Sequence, residues 1–100
     1  RDFFDLVTAR AVASLPALLE LTLPFCRVQG IFVAYKGPKA DGELRESLEA
    51  QRILGGEYFE TYSYNLIREM GTRNLVFFRK TAPTSDKYPR RPGIPVKRPL

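Results

Sequence analysis

Histidine and tryptophan are absent from this chain of 100 residues, and cysteine and methionine occur once each. Without histidine, the chain holds neither a Ser-His-Asp nor a Cys-His catalytic set, and it lacks the usual zinc ligands. One cysteine, Cys26, cannot form an internal disulfide, which suits a reducing cytoplasm. The longest stretch free of charge is Ala11–Leu19, nine residues, far short of a membrane span. No charged segment followed by an apolar core opens the chain, so no secretory signal is expected. Nor is there a glycine-rich G-x-G-x-x-G turn, the usual dinucleotide cradle of open α/β sheets.

What is present divides unevenly. Hydrophobic residues make up 44% of the chain, the proportion of a folded domain. The formal net charge is +5, yet residues 1–78 hold nine Lys and Arg against ten Asp and Glu. Residues 79–100 hold Arg79, Lys80, Lys87, Arg90, Arg91, Lys97 and Arg98 against Asp86 alone, with five of the eight prolines. The pattern predicts a nearly neutral folded body over residues 1–80 and a basic, proline-rich tail over 81–100. Such a tail cannot build a core, so it is expected to stay extended and solvated.

Strand and helix signals alternate through the body. Phe3–Ala9 is short and apolar and reads as a buried strand. Ser14 is an N-cap candidate with Pro16 in the first turn, and Leu15, Leu18, Leu19, Thr22 and Leu23 follow on one helical face. Pro24 ends that helix and Gly30 marks the turn out of it. Ile31–Tyr35 is a second apolar run without alternation, as in a parallel strand covered on both faces. Asp41 would cap a second helix with Leu44, Leu48 and Ile53 inward and Glu43, Arg45, Glu46 and Glu49 outward, closed by Gly55-Gly56. Tyr58, Tyr62 and Tyr64 sit at strand spacing, and Asn74–Arg79 is a last apolar run joined to them by a link too short for a crossover helix. The expected order is β-α-β-α-β-β, an α/β fold with right-handed parallel crossovers and an antiparallel final strand.

Three segments carry a family resemblance. Asp5-Leu6-Val7-Thr8-Ala9-Arg10-Ala11-Val12-Ala13 resembles the D-x-V-T-A-R-A-V-A stretch of the bacterial 16S rRNA guanine-N7 methyltransferases, also called the glucose-inhibited division protein B family. Phe32-Val33-Ala34-Tyr35-Lys36-Gly37 is similar to that family's F-V-A-L-K-G strand. Lys87-Tyr88-Pro89-Arg90-Arg91-Pro92-Gly93-Ile94-Pro95-Val96-Lys97-Arg98-Pro99-Leu100 resembles its terminal K-Y-P-R-K-P-G-T-P-x-K-x-P-L. The resemblance spans the chain but only the carboxyl-terminal half of the family. It implies a Rossmann-like S-adenosylmethionine-dependent fold, with the last strand inserted antiparallel between the two before it. The glycine-rich loop would lie in the half not represented, so these 100 residues alone are expected to be inactive.

Arg10 follows the first strand at the carboxyl edge of the sheet, where a guanidinium can form paired bonds to a carboxylate. By spacing alone a surface arginine paired with a nearby acid is the favoured explanation; the resemblance reverses this and implies contact with S-adenosylmethionine. Lys36 and Lys39 flank Gly37-Pro38 at the next strand end, suited to RNA phosphate or a guanine edge, or simply to a solvated loop. Lys87, Arg90, Arg91, Lys97 and Arg98 suit RNA phosphate, with a partnerless solubilising tail as the competing reading. Ser14 reads as a helix cap, Cys26 as packing, and the tyrosines as sheet residues before base-stacking platforms. The implied partner is 16S rRNA or the small ribosomal subunit, with no metal and no membrane. The competing class is a non-enzymatic RNA-binding module on an α/β scaffold.

Overall fold

The computed structural model describes residues 4–10, 13–37, 40–65 and 71–100. Four strands, β1 (Phe4–Arg10), β2 (Cys26–Lys36), β3 (Gly56–Asn65) and β4 (Thr72–Lys80), form one sheet in the order β1-β2-β4-β3. β1 and β2 are parallel, with Val7 opposite Phe32 and Arg10 opposite Tyr35. β4 runs antiparallel to both neighbours, pairing Phe78 with Phe32 on one side and with Tyr58 on the other. The last strand thus lies between the two before it, as expected.

Helix α1 (Leu15–Thr22) returns from β1 to β2. It starts where Ser14 caps it, the hydroxyl accepting from Ala17 N–H at 3.5 Å, with proline in the first turn. A short 3-10 turn through Pro24 (Leu23–Phe25) ends it, and β2 begins at once with Cys26. Gly30 therefore lies inside β2 rather than in a turn before it. A Cβ there would sit 2.8 Å from the carbonyl oxygen of Asp5, so close strand approach explains the glycine.

The single second helix expected after Asp41 is two: α2 (Ala40–Glu46) and α3 (Leu48–Leu54). The break falls at Ser47, whose buried hydroxyl donates to the Leu44 carbonyl at 2.6 Å and accepts from Gln51 Nε2 at 3.0 Å. This local bonding competes with helix continuation. The break turns Leu48 outward, 62% exposed, against expectation. Asp41 lies within the first turn of α2 rather than ahead of it. α3 closes on Gly55 in the left-handed conformation, as the Gly-Gly pair predicted.

All three helices cover one face. Phe32, Ala34, Val76 and Phe78 of the sheet pack there with Leu15, Leu18, Leu19, Ala50 and Leu54. The rings of Phe32 and Phe78 stack with centroids 5.9 Å apart, and Tyr58 meets Phe78 edge-on. Each fully buried ring or leucine stabilises the body by roughly 1.5–3 kcal/mol. The other face carries Leu6, Tyr35, Phe59 and Tyr62, all between 42% and 59% exposed. β1 is consequently not the buried strand expected: it pairs only with β2 among the described strands, and its Leu6 lies on the uncovered face.

The tail corrects its expectation most clearly. Residues 81–100 are folded back onto the body rather than extended and solvated. Thr81 and Ala82 N–H donate to the Gly55 carbonyl, and the buried Thr84 hydroxyl donates to the Leu54 carbonyl at 2.6 Å. A short helix α4 (Ile94–Lys97) buries Pro95, and Tyr88 and Leu100 pack against the core. Among the described residues, no helix is long and apolar enough to cross a membrane.

Candidate functional site

The carboxyl ends of β1 and β2 lie side by side, and alternation along each strand sorts their last residues onto opposite faces. Val7 and Ala9 turn toward the helices with Phe32 and Ala34, so Arg10 and its partner Tyr35 turn to the uncovered face. Both are exposed. An exposed guanidinium beside a half-exposed aromatic ring, at the carboxyl edge of parallel strands, can pair with a small anionic group such as a carboxylate.

Lys36, one residue further, turns the other way and is 5% exposed. Its ammonium donates to the Ala13 carbonyl at 2.8 Å and lies 2.8 Å from Oε1 of Glu43. The same carboxylate oxygen accepts the Leu15 N–H at 3.0 Å, at the start of α1. Lys36 is therefore a brace that ties the end of β2 to the loop after β1 and to α2. The expectation of an RNA phosphate contact at Lys36 is corrected: a buried ammonium already held by a carboxylate and a carbonyl is closed to phosphate. Glu43, expected outward, is half-buried for the same reason.

Asn74 extends the brace across the sheet. Its Nδ2 donates to the Gly37 carbonyl at 2.8 Å, and its Oδ1 accepts from the Ser63 hydroxyl. Five chain segments thus meet at this edge through polar groups, and among the described residues no buried side-chain donor or acceptor lacks a partner. Lys39 lies outside the described residues. No group of three or more potential metal ligands occurs among the described residues.

Of the tail cations, Lys87, Arg91, Lys97 and Arg98 are exposed. Arg90 is not available in the same way, which corrects its expected role as a phosphate contact. Its guanidinium embraces both carboxylate oxygens of Glu20, at 2.7 Å from Nη2 to Oε1 and 2.9 Å from Nε to Oε2, and its backbone N–H donates to Oε2 at 2.8 Å. Glu20 is fully buried on α1. Burial alone would raise its carboxyl, but the Arg90 hydrogen bonds and charge win and hold it below the usual carboxylate range.

Sequence reasoning missed Glu20, Glu43 and Asn74. A sign of each was there. Asn74 shares its parity with Val76 and Phe78, so an amide at a core-facing position demanded partners. Glu20 stands between Leu19 and Leu21 in an otherwise apolar helix, and a buried acid requires a cation.

Residues 1–76 match a family model described as GidB: rRNA small subunit methyltransferase G. Similar curated proteins, each named ribosomal RNA small subunit methyltransferase G, include those of Bacillus velezensis (48% identical), Geobacillus thermodenitrificans (47%) and Moorella thermoacetica (44%). Each alignment covers all 100 residues of this chain and 42% of the relative.

Proposed function

Because the chain belongs to the GidB family of rRNA small subunit methyltransferases, we propose that it is the carboxyl-terminal part of an S-adenosylmethionine-dependent enzyme. The proposed reaction is methyl transfer to N7 of a guanine in 16S rRNA, in the cytoplasm. The observation that carries this reading is Arg10, an exposed guanidinium at the carboxyl end of β1 within the stretch that resembles the family motif.

The donor set fits part of the cofactor. Arg10 would hold the carboxylate of its methionine end, and the exposed ring of Tyr35 would line the same side. The Lys36–Glu43 brace would keep the loop after Arg10 in place without touching cofactor or RNA. When bound, S-adenosylmethionine supplies an electrophilic methyl group, which the N7 lone pair accepts without first losing a proton. Catalysis then rests on alignment and electrostatics rather than on a general base. A chain without histidine, whose one thiol at Cys26 is buried, is compatible with that chemistry.

The test is a transfer assay with radiolabelled cofactor, the complete protein and small ribosomal subunits or 16S rRNA. Label on rRNA supports the proposal. Absence of label with RNA binding retained would replace it with a non-enzymatic RNA-binding module. The 100 residues by themselves are expected to show no turnover and weak cofactor binding, and tight binding in calorimetry would overturn that expectation.

A further inference from the structure

The docked tail lies at the end of the sheet opposite Arg10. β4 runs away from the carboxyl edge of β1 and β2, and at its end Lys80 donates to the carbonyls of Leu23 and Cys26, where β2 begins. The tail leaves from there. Its anchors are the Leu54 and Gly55 carbonyls, at the end of α3, and Glu20, two residues before the end of α1. Cys26 is level with Phe4, and from Phe4 to Arg10 a strand covers about 20 Å.

The anchors also set the tail's shape. Arg90 grips buried Glu20 and at the same time donates from Nη2 to the Arg98 carbonyl at 2.6 Å, closing residues 90–98 into a loop. Pro95 is buried beneath that loop. With Arg90 neutralised by Glu20, the exposed ionic groups of residues 81–100 are Lys87, Arg91, Lys97 and Arg98, with Asp86 the single side-chain anion. Four cations are thus held on a fixed support instead of being strung along a free chain. Holding them fixed removes much of the ordering cost that a disordered basic tail meets on binding.

We propose that this docked arm is a preformed cationic platform for the phosphate backbone of a folded RNA, with the Glu20–Arg90 pair as the latch that keeps it in shape. The proposal rests on the rRNA reading above and adds what kind of RNA is required. An RNA reaching both Arg10 and the platform must extend about 20 Å, the length of about six stacked nucleotides. The substrate class is therefore an RNA with phosphates remote from the reacting base, and not a mono- or dinucleotide. An anionic membrane fits less well, because Val96 is the one large apolar residue exposed in the arm.

The test uses the complete protein and the variant Lys87→Gln/Arg91→Gln/Lys97→Gln/Arg98→Gln. Binding to 16S rRNA by filter retention between 50 and 200 mM salt should weaken at least about tenfold at the low end, with a shallower salt slope by about three. Binding of a guanine-containing dinucleotide and of S-adenosylmethionine should stay within about twofold of the parent, because neither reaches the arm. The Glu20→Gln variant keeps all four cations but loosens the latch, and should weaken 16S rRNA binding by about threefold or more. The platform is overturned if the fourfold variant binds 16S rRNA like the parent, or loses dinucleotide and 16S rRNA affinity equally. It is also overturned if only binding to anionic phospholipid vesicles falls. Loss of rRNA methylation in the parent protein with these binding differences intact would remove the catalytic reading and leave the platform standing.

Discussion

The Lys36 ammonium and Oε1 of Glu43 are 2.8 Å apart, and the carboxylate oxygen that meets the lysine also caps the first N–H of α1. One ion pair therefore fixes the end of β2, the start of α2 and the entry to α1. The loop that follows Arg10 is held at Ala13 by the same ammonium.

Lys36→Met should destabilise the protein by about 2–4 kcal/mol in denaturant unfolding, since it leaves a half-buried carboxylate without its cation. The double variant Lys36→Met/Glu43→Leu should recover part of that loss, because removing both charges leaves no unpaired group. A loss under about 0.5 kcal/mol for the single variant would reduce the brace to an ordinary surface pair.

Arg10→Ala tests the other side of the same edge. In the complete protein the cofactor dissociation constant should rise about tenfold or more, the usual weight of a charge-assisted contact. Unfolding should hardly change, since Arg10 is exposed. An unchanged constant in calorimetry would remove Arg10 from the site.

Acid should loosen the tail. The Glu20 carboxyl is held below its ordinary value of 4.5 in the folded state, so the unfolded chain binds the proton more readily. Its contribution is present above the unfolded value and disappears as pH falls through the folded one. Between about pH 5 and 3, melting temperature should therefore drop more steeply for the parent than for Glu20→Gln, which has no proton to take up there. Parallel slopes in scanning calorimetry would contradict the latch.

Gly55 joins α3 to β3 at φ 77°, and a Cβ there would stand 2.4 Å from the Ala82 carbonyl oxygen. Gly55→Ala should cost about 1–3 kcal/mol by combining left-handed strain with that clash. Limited proteolysis should then cut the variant first within 81–90, where the tail loses its anchoring carbonyls. Unchanged stability and cleavage would mean the tail does not depend on this turn.

Much of the fold was legible because it rests on local patterns. The apolar runs around Phe32 and Phe78, the proline behind Ser14 and the Gly55-Gly56 stop each act through their own neighbours. The site was legible only in part. The place of Arg10 at the carboxyl edge could be read from the apolar run that it closes, whereas the partners of Lys36 and Arg90 are acids 7 and 70 positions away along the chain. Charge counting treated residues 79–100 as a unit and so read Arg90 like its neighbours. Residue type alone does not distinguish a lysine that reaches solvent from one whose ammonium is taken by the helix that follows it.

The position of β4 sets an order of events. It is made after the other three described strands, yet it occupies the seat between β2 and β3, which do not bond to each other. Until residue 80 has left the ribosome, β3 has no partner among these strands, and the tail's docking place on Gly55 is not yet framed. The sheet therefore closes from its middle and late, so a ribosome that stalls before β4 releases two unjoined edges to the cell's proteases.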